Sequence, residues 1–568
     1  MNKNIGNPGA AEVNADFQME TNRRPNQAAL AGSGTNDNVT RGRPETQTAP
    51  DKARKVTMSI GVGVVLGRGD PPGPGERRFI KAIAEDPRFR LSLVAAAARA
   101  ETAHAGLVDT ALRLEARAFP APDRAPTGLP EIDALPDAPA DALPETLPDD
   151  CDLIVDFSHA DAVLAQAGHL PEGVWRLSAF APEAGLAEAR DRAPVTTVVL
   201  TRHRAGSPPQ TLSTARYDTK FLATRNAAMI REKSVQMVLQ ALAGLLLQRA
   251  APAPDPDAAG PAVAPDRPPF AARDLPGYGL RTVSELATRA LKVAGEKIGR
   301  RPGMFELRLG HGDGLGFDPA AGVTLSPPAG TFWADPFLHE HAGALYLFYE
   351  VYDYETRRGH LDVGRIEGET MVPLGTALKL PYHLSYPFVF DWDGATWMIP
   401  ETHSTQRLEL WRATDFPTGW ELAKTALEGV QMADTVLYEH EGQWWMFTNI
   451  CHDSFGDYGA ELHLYRIDGP MLNEVEPHPL NPVVIDSRTA RGGGRVFAQD
   501  GRLYRTSQDN SHGLYGFGLN VMEITRLDML GYAEHRVRHV TGDFDDAIMA
   551  CHHMDAAAGR FVIDVRRK

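Results

Sequence analysis

Hydrophobic residues in the first half of the chain form short continuous runs, and helical patterns lie between them. Such alternation is typical of an open α/β sheet with mostly parallel strands, of the Rossmann type. The helical patterns are GERRFIKAIAEDP (75–87), a long segment at 225–250 and a further one at 282–299. The predicted strand runs are VTMSIGVGVVLG, RLSLVAAAA, CDLIVDFS, GVWRLSAF and VTTVVLTRHR.

After about residue 300 the pattern changes to short strands rich in Trp, Tyr, Phe and Val, separated by Gly and Asp turns. One unit recurs: an apolar strand, a polar turn that ends in glycine, and a second aromatic or apolar strand. Repeats of about 50 residues built from such hairpins are typical of β-propeller blades. The second half is therefore predicted to be an all-β five-bladed propeller over residues 325–568. The turn glycines are Gly343, Gly394, Gly442, Gly501 and Gly559.

Composition changes mark the boundaries between these regions. Residues 1–55 are polar and predicted to be a disordered tail. Residues 56–250 form the predicted α/β domain, with a Pro/Ala-rich insert at 119–150. A second Pro/Ala/Asp-rich segment, 251–277, is predicted to be a linker. Residues 278–324 are then a helical connector that leads into the propeller.

The charge and cysteine content limit the classes of partner. The chain of 568 residues has 58 basic and 74 acidic side chains, a formal charge of −16, so its surface would repel nucleic acid. Its three cysteines form no CxxC pair, which fits a reducing compartment. Since no apolar run reaches the roughly 20 residues of a membrane span, we expect a cytoplasmic protein without one. Protein partners are expected to bind the N-terminal domain.

Hairpin geometry predicts a site at one end of the propeller. The start of one antiparallel strand and the end of the next lie at the same edge. Residues eight before and seven after each turn glycine should therefore face one mouth of the channel. The positions before are Asp335, Tyr386, Asp434, Gly493 and Cys551, and those after are Glu350, Glu401, Asn449 and Gln508.

Carboxylates, aromatic rings and amides at a mouth suit a glycan or sugar conjugate. Two carboxyl groups can also share acid and base roles at a glycosidic bond. Asp335 is the predicted base, and Glu401, Glu350 and Asp434 are the candidate acids. No metal site is predicted, and CHHMD (551–555) is taken as a structural or sugar-contacting segment. The predicted substrate-binding residues are Trp333, His383, Tyr386, His403, Asn449, Arg491, Gln508 and His552.

Other readings of these acids stay open. An Asp before a strand is a good turn former, and a Glu at a strand end is often only solvated. The propeller could hydrolyse or transfer a glycosyl unit in polysaccharide or glycoconjugate metabolism. It could instead be a non-catalytic recognition module in surface polysaccharide biosynthesis, and the sequence does not decide between the two.

Several motifs of the second half resemble known propellers. WADPF followed by an aromatic strand is similar to the first blade of five-bladed glycoside hydrolases of the arabinanase and xylosidase type, family 43-like enzymes. That resemblance implies that Asp335 is the general base. SYPFVF, LELWRATDFPTGWE, ADTVLYEHEGQWWMFT and RGGGRVFAQDGRLYRTSQD more closely resemble the N-terminal region of plant glucosamine inositolphosphorylceramide transferase. This family implies involvement with glycans.

The first half resembles a formyltransferase N-terminal domain. The segments that carry the likeness are CDLIVDFS, GVWRLSAFAPEAG, STARYDTKFLATRNAAM and VLQALAGLLL. The resemblance implies a His-Pro-Ser stretch, but RLSAFAPEAG has Ser178 and no histidine. We therefore expect a degenerate domain that uses neither folate nor any other cofactor. Formyl or acyl transfer to an amino sugar is the alternative.

Overall fold

The computed structural model describes residues 59–68, 71–99, 106–122, 142–250, 267–297 and 304–568. The predicted tail, the middle of the predicted insert (123–141) and most of the predicted linker (251–266) lie outside the described residues. None of the helices in the described ranges is both long and apolar enough to cross a membrane.

The N-terminal half contains one six-stranded sheet whose strands have the order β2-β1-β3-β4-β5-β6. The pairs among β2, β1, β3 and β4 are parallel, whereas β5 pairs antiparallel with both β4 and β6. The sheet is therefore mixed, and parallel only over its first four strands. Its strands are Ile60–Gly67 (β1), Phe89–Ala97 (β2), Leu153–Asp156 (β3), Gly173–Leu177 (β4), Val195–His203 (β5) and Gln210–Asp218 (β6).

Six α-helices accompany this sheet. In α1, Phe79, Ile80 and Ile83 are buried on one face, and Pro74 starts the helix where its missing N–H is not needed. The long helix α5 buries Met229 and Val238 in the same core. The helices are Pro74–Glu85 (α1), Leu107–Ala118 (α2), Asp161–Ala167 (α3), Leu186–Asp191 (α4), Ala223–Ala250 (α5) and Leu275–Lys297 (α6).

The C-terminal half is a five-bladed propeller, as predicted. The innermost strands of neighbouring blades contact each other in a closed ring, β9 with β13, then β17, β22, β27 and back to β9. Blades one and two are Thr331–His341 (β9), Ala344–Asp353 (β10), Arg358–Glu367 (β11), Thr370–Leu378 (β12), Ser385–Trp392 (β13), Ala395–Glu401 (β14), Leu408–Asp415 (β15) and Gly419–Ala426 (β16).

Blades three and four repeat the same meander, and blade three carries one short extra strand. Their strands are Met432–His440 (β17), Gln443–Ile450 (β18), Glu461–Ile467 (β19), Val475–Pro477 (β20), Val484–Ile485 (β21), Gly492–Gln499 (β22), Arg502–Asp509 (β23), Gly518–Asp528 (β24) and Gly531–Thr541 (β25).

The fifth blade combines strands from both ends of the propeller sequence. β28 pairs antiparallel with β7, so that Arg560 lies opposite His311. Two strands of the segment 278–324, predicted as a connector, thus belong to the ring. The strands of this blade are Phe305–His311 (β7), Val323–Leu325 (β8), Ile548–Ala550 (β26), Met554–Ala557 (β27) and Arg560–Arg567 (β28).

The predicted turn glycines close the inner hairpin of each blade. Gly343 has a φ of 77°, and the preceding Ala342 also has a positive φ of 51°. In the other four hairpins the turn glycine and the residue before it also have positive φ values. Two left-handed residues in succession make the tight turn whose twist matches that of the strands, and glycine accepts this conformation most readily.

The α/β domain packs on loops of blades three and four. Lys233 of α5 is fully buried and lies 2.5 Å from Asp453, in the loop between β18 and β19. Asp218 of β6 accepts a hydrogen bond from the main-chain N–H of Gly513 (2.8 Å), in the loop between β23 and β24. Both loops lie at the end of the propeller where the first strand of each blade begins and the second strand ends. We call this end the mouth. The α/β domain therefore borders the mouth.

Candidate functional site

The first inner strand of blades one to three carries a distorted residue at the mouth. Asp335, Tyr386 and Asp434 have φ values of 49°, 49° and 52°, and the strand register shifts beside each. Non-glycine residues seldom adopt this conformation, which costs free energy and concentrates at functional sites. These are three of the five predicted positions eight residues before the turn glycine.

Acceptor side chains join the blades at this level. Each side chain accepts a hydrogen bond from a main-chain N–H of the next blade around the ring. The pairs are Asp564 with Asp335 N (3.1 Å), Asp335 with Tyr386 N (3.2 Å), Glu401 with Asp434 N (3.2 Å) and Asn449 with Gly492 N (2.9 Å). The acids at the mouth therefore also fasten the ring.

Asp335 is buried beside two histidines. Its Oδ1 is 3.3 Å from His552 Nε2 and 3.6 Å from His553 Nδ1. Burial opposes ionisation, but hydrogen bonds from His552 and His553 outweigh it and hold the pKa of Asp335 well below its usual range. Asp564 lies 2.9 Å from His552 Nδ1. Burial lowers the pKa of His552, yet Asp564 and Asp335 together raise it to about 10.

The pKa of Glu350 is shifted in the opposite direction to that of Asp335. Burial, together with the negative charges of Asp335 and Glu401, raises the pKa of Glu350 well above its usual value. Its buried Oε1 has no hydrogen-bond partner among the described residues. His383 Nε2 lies 3.5 Å from that oxygen, and His383 Nδ1 accepts a hydrogen bond from Gly359 N. The pKa values of Glu350 and the adjacent Asp335 are thus shifted in opposite directions.

Glu401 and Asp434 share one cation. Arg491 Nε lies 2.7 Å from Asp434, and its terminal nitrogen lies 3.6 Å from Glu401. Burial raises the pKa of Glu401, but the hydrogen bond from His403 and the charge of Arg491 lower it to about 2. Burial also raises the pKa of Asp434, and Arg491 opposes that effect. Glu401 is therefore ionised and is a poor proton donor.

Four more of the predicted binding residues also contact other parts of the propeller. The Tyr386 hydroxyl donates to Gly494 O and accepts from Gly494 N, both at 3.0 Å. Asn449 donates to the main-chain oxygens of Glu461 and Ala490. The remaining two are Gln508, which donates to Gly492 O and Asp434 Oδ2, and Trp333, which packs on Tyr349.

The structure adds residues that the sequence analysis did not select. Asp564 lies in β28, whose apolar run at 561–563 resembles an ordinary core strand. Tyr515 lies beside the guanidinium of Arg491 and the ring of His552. Tyr458 lies 6.1 Å from the ring of His403. These aromatic rings come from the loops after the second strand of blades three and four, where no repeat was visible.

The group Asp335, His552 and Asp564 has the spacing of a metal site, since its ligand atoms lie within 4.8 Å of one another. Both ring nitrogens of His552 face carboxylates, and they raise its pKa to about 10. The three side chains thus belong to one buried network of acids and an imidazole.

Glu350→Gln is expected to change the pH dependence of stability. Between the ordinary pKa of about 4.5 and the raised pKa of Glu350, the folded state holds one proton more than the unfolded state. This group therefore destabilises the wild-type protein by about 1.4 kcal/mol per pH unit as pH rises through that window. The glutamine variant lacks this loss, so its advantage over wild type grows with pH. Urea unfolding between pH 5 and 8 measures the difference.

The exposed Glu340→Gln variant, on the same hairpin, is the matched control. Its stability is expected to stay parallel to wild type at every pH. Parallel curves for Glu350→Gln as well would contradict a protonated Glu350.

Comparisons with known proteins agree with the fold of the second half. Residues 320–556 match the family described as "Glucosamine inositolphosphorylceramide transferase 1, N-terminal". Glucosamine inositolphosphorylceramide transferase 1 of Arabidopsis thaliana is 36% identical over 222 residues, which are 38% of this chain and 28% of the relative. The protein of that name from Oryza sativa subsp. japonica is 36% identical over 207 residues, 36% of this chain and 27% of the relative. This chain thus spans less than a third of the curated relatives' length.

Solved glycoside hydrolases are similar at low identity. A family 117 glycoside hydrolase of Zobellia galactanivorans has 10% identity and a TM-score of 0.31, over 47% of this chain and 90% of that chain. An α-L-arabinofuranosidase of Lactobacillus brevis has 12% identity and a TM-score of 0.30, over 41% and 82%. The propeller, over residues 320–556, is therefore similar to the N-terminal domain of glucosamine inositolphosphorylceramide transferase 1.

Proposed function

We propose that this protein binds a glycan or sugar conjugate at the mouth of its propeller, in polysaccharide or glycoconjugate metabolism. The observation that carries the proposal is the convergence of Asp335, Glu350 and Glu401 at one mouth, beside aromatic rings. The pKa values of Asp335 and Glu401 are lowered there, whereas that of Glu350 is raised. The curated relatives, which are named glucosamine inositolphosphorylceramide transferase 1, support a sugar ligand.

The chemistry of the mouth fits a polyhydroxylated ligand. A sugar hydroxyl both donates and accepts hydrogen bonds, so it needs acceptors and donors close together. The ionised carboxylates supply acceptors, while the protonated Glu350 and the Nε2 of His383 supply donors. Tyr515 and Tyr458 add ring surface of the kind that packs on the C–H face of a pyranose.

Glycosyl transfer or hydrolysis is the second candidate function. The opposed pKa shifts of Asp335 and Glu350 favour it, because a pair of carboxyl groups whose pKa values diverge can divide acid and base roles. In this reaction Glu350 gives its proton to the leaving oxygen as the glycosidic bond breaks. Asp335 accepts the proton of the attacking water or acceptor hydroxyl as the new bond forms.

For the N-terminal half we propose a formyltransferase-like scaffold without formyl transfer. Ser178, in the segment that corresponds to the catalytic stretch of that fold, accepts a hydrogen bond from Val199 N (2.9 Å). The nearby imidazole of His159 contacts the main-chain oxygen of Leu177 at 2.8 Å. Both side chains are thus engaged by main-chain atoms rather than free for catalysis. We propose that this domain, at the border of the mouth, binds partners. Folate-dependent formylation of an amino sugar would contradict this assignment.

Binding and turnover are tested separately on the full chain. A glycan array, followed by calorimetry with the best ligand, is expected to show binding that weakens at least tenfold in Asp335→Asn and Glu350→Gln. The exposed Glu340→Gln variant should bind like wild type. Equal affinities in all four proteins, or no glycan ligand at all, would overturn the proposal.

Sugar release from the bound ligand decides the second candidate. Release that both Asp335→Asn and Glu350→Gln abolish supports acid–base catalysis. Binding without release, in wild type as well, identifies a recognition module.

A further inference from the structure

A second cluster of ionisable side chains lies in blade three, outside the acids of the mouth. His452 follows β18, while Glu461 and His463 lie on one face of β19. His452 Nδ1 is 2.9 Å from Glu461 Oε2, and His463 Nε2 is 3.6 Å from the same oxygen. All three ligand atoms lie within 4.8 Å of one another. Two imidazoles and one carboxylate thus converge on one point.

Two buried atoms of this cluster lack hydrogen bonds. His463 Nε2 and Glu461 Oε1 have no partner among the described residues. The side chains of Glu461 and His463 are only 1% and 5% exposed, so bulk water does not reach these atoms. A buried polar group without a partner destabilises the fold and requires an explanation such as a bound ion. His452, in contrast, is 28% exposed and leaves a path from solvent.

The surroundings of the cluster have excess negative charge. Lys233 of α5 contacts Asp453 at 2.5 Å and Asp457 at 3.7 Å, and both acids lie in the loop between His452 and Glu461. Glu461 also acts on Lys233 through its charge. A second ammonium group, Lys220, also acts on Asp457, but it is paired with Asp218 at 3.4 Å. The carboxylates therefore still outnumber the ammonium groups, and a divalent cation would balance the difference.

We propose that His452, Glu461 and His463 bind one divalent metal ion, and that zinc fits them best. Two histidines and one glutamate are a known zinc ligand set, which leaves a fourth position open. With metal–ligand bonds of roughly 2.0–2.2 Å, the ligand atoms of a tetrahedral site lie roughly 3.3–3.6 Å apart. The observed separation of 3.6 Å lies at the upper end of this range, and that of 2.9 Å lies below it. On binding, the ion replaces the proton between His452 and Glu461, which leaves to solvent.

The ion would fix the position of the loop that contacts the α/β domain. Residues 453–460 connect two of the ligands, and in this loop Asp453 binds Lys233 while Ser454 N donates to Glu232 of α5 (2.7 Å). Fixing both ends of the loop fixes these contacts. Metal binding is therefore expected to stabilise the junction between the two domains.

The test is metal binding by the full chain after treatment with a chelator. Calorimetry with ZnCl₂ and visible absorption with Co²⁺ are expected to show one equivalent per chain. The Co²⁺ bands should have the high intensity of a four- or five-coordinate site with nitrogen ligands. Glu461→Gln and His463→Ala should weaken zinc binding at least tenfold, whereas the exposed His535→Ala variant in blade four should bind like wild type.

Each outcome decides the proposal. Less than one equivalent in wild type, or weak octahedral Co²⁺ bands, overturns it, as does unchanged binding in the two ligand variants. Circular dichroism verifies that the variants are folded. If they are not, X-ray absorption at the zinc edge of the wild-type protein decides by the presence or absence of two imidazole ligands.

Discussion

Replacing Lys233 by alanine is expected to lower the free energy of unfolding by about 3–5 kcal/mol. Lys233 is fully buried, and it is the cation that faces Asp453 and Asp457 across the junction of the two domains. Its removal leaves these carboxylates buried without their ammonium partner, which costs more than the ion pair contributes. Chemical denaturation of the full chain, followed by fluorescence, measures the loss.

Lys81→Ala is the matched control. Lys81 also lies on a helix and pairs with an acid, Glu85, but that pair is exposed and should contribute less than about 1 kcal/mol. The double variant Lys233→Met/Asp453→Leu is expected to recover part of the stability, because it removes charges on both sides. Equal small losses for Lys233→Ala and Lys81→Ala would contradict the buried ion pair.

Leu307→Ala is expected to lower the free energy of unfolding by about 2–5 kcal/mol. Leu307 is fully buried in β7, where it packs between the fifth and first blades with Trp333 and Val562. The substitution leaves a cavity at the closure of the ring. Thermal and urea unfolding measure the effect.

Val323→Ala, on the adjoining strand β8, is the control for that prediction. Val323 is 40% exposed, so its truncation should cost well under 1 kcal/mol. Similar values for Leu307→Ala and Val323→Ala would mean that β7 does not lie inside the ring.

The hairpins could be predicted because each one is encoded locally. The turn glycines and the alternation of the inner strands are near neighbours in sequence, so Gly343 and its four equivalents predicted blades and a mouth. The same spacing brought Asp335 and Glu350 together. β7 could not be assigned, because its partner β28 is about 250 residues away and no hairpin turn links them.

The pKa shifts at the mouth were also beyond the sequence. Asp335 and Glu350 occupy repeat positions of similar character, yet two histidines lower the pKa of Asp335, whereas burial and neighbouring acids raise that of Glu350. That difference depends on which blades are adjacent. Asp564 is the residue that sequence reasoning had the least means to find, since it directly follows the apolar run of β28.

In the N-terminal half, apolar runs predicted five strands of the sheet and mostly parallel pairing, which holds among β1 to β4 but not for β5. β6 was missed because QTLSTARYD is mostly polar. The antiparallel pairing of β5 follows from a turn that includes Gly206, whose φ is 75°. Only part of the proposed metal site in blade three is visible in the sequence. Glu461 and His463 are two residues apart and therefore lie on the same face of a strand. His452 joins them only through the fold of the loop.

Sharing a blade between distant parts of the chain imposes an order on biosynthesis. β7 leaves the ribosome long before β28, which it must join some 250 residues later. Until translation reaches β28, the edge of β7 that pairs with it stays open to wrong pairing. The nascent chain should therefore be most prone to aggregation, and most dependent on chaperones, just before β28 is made.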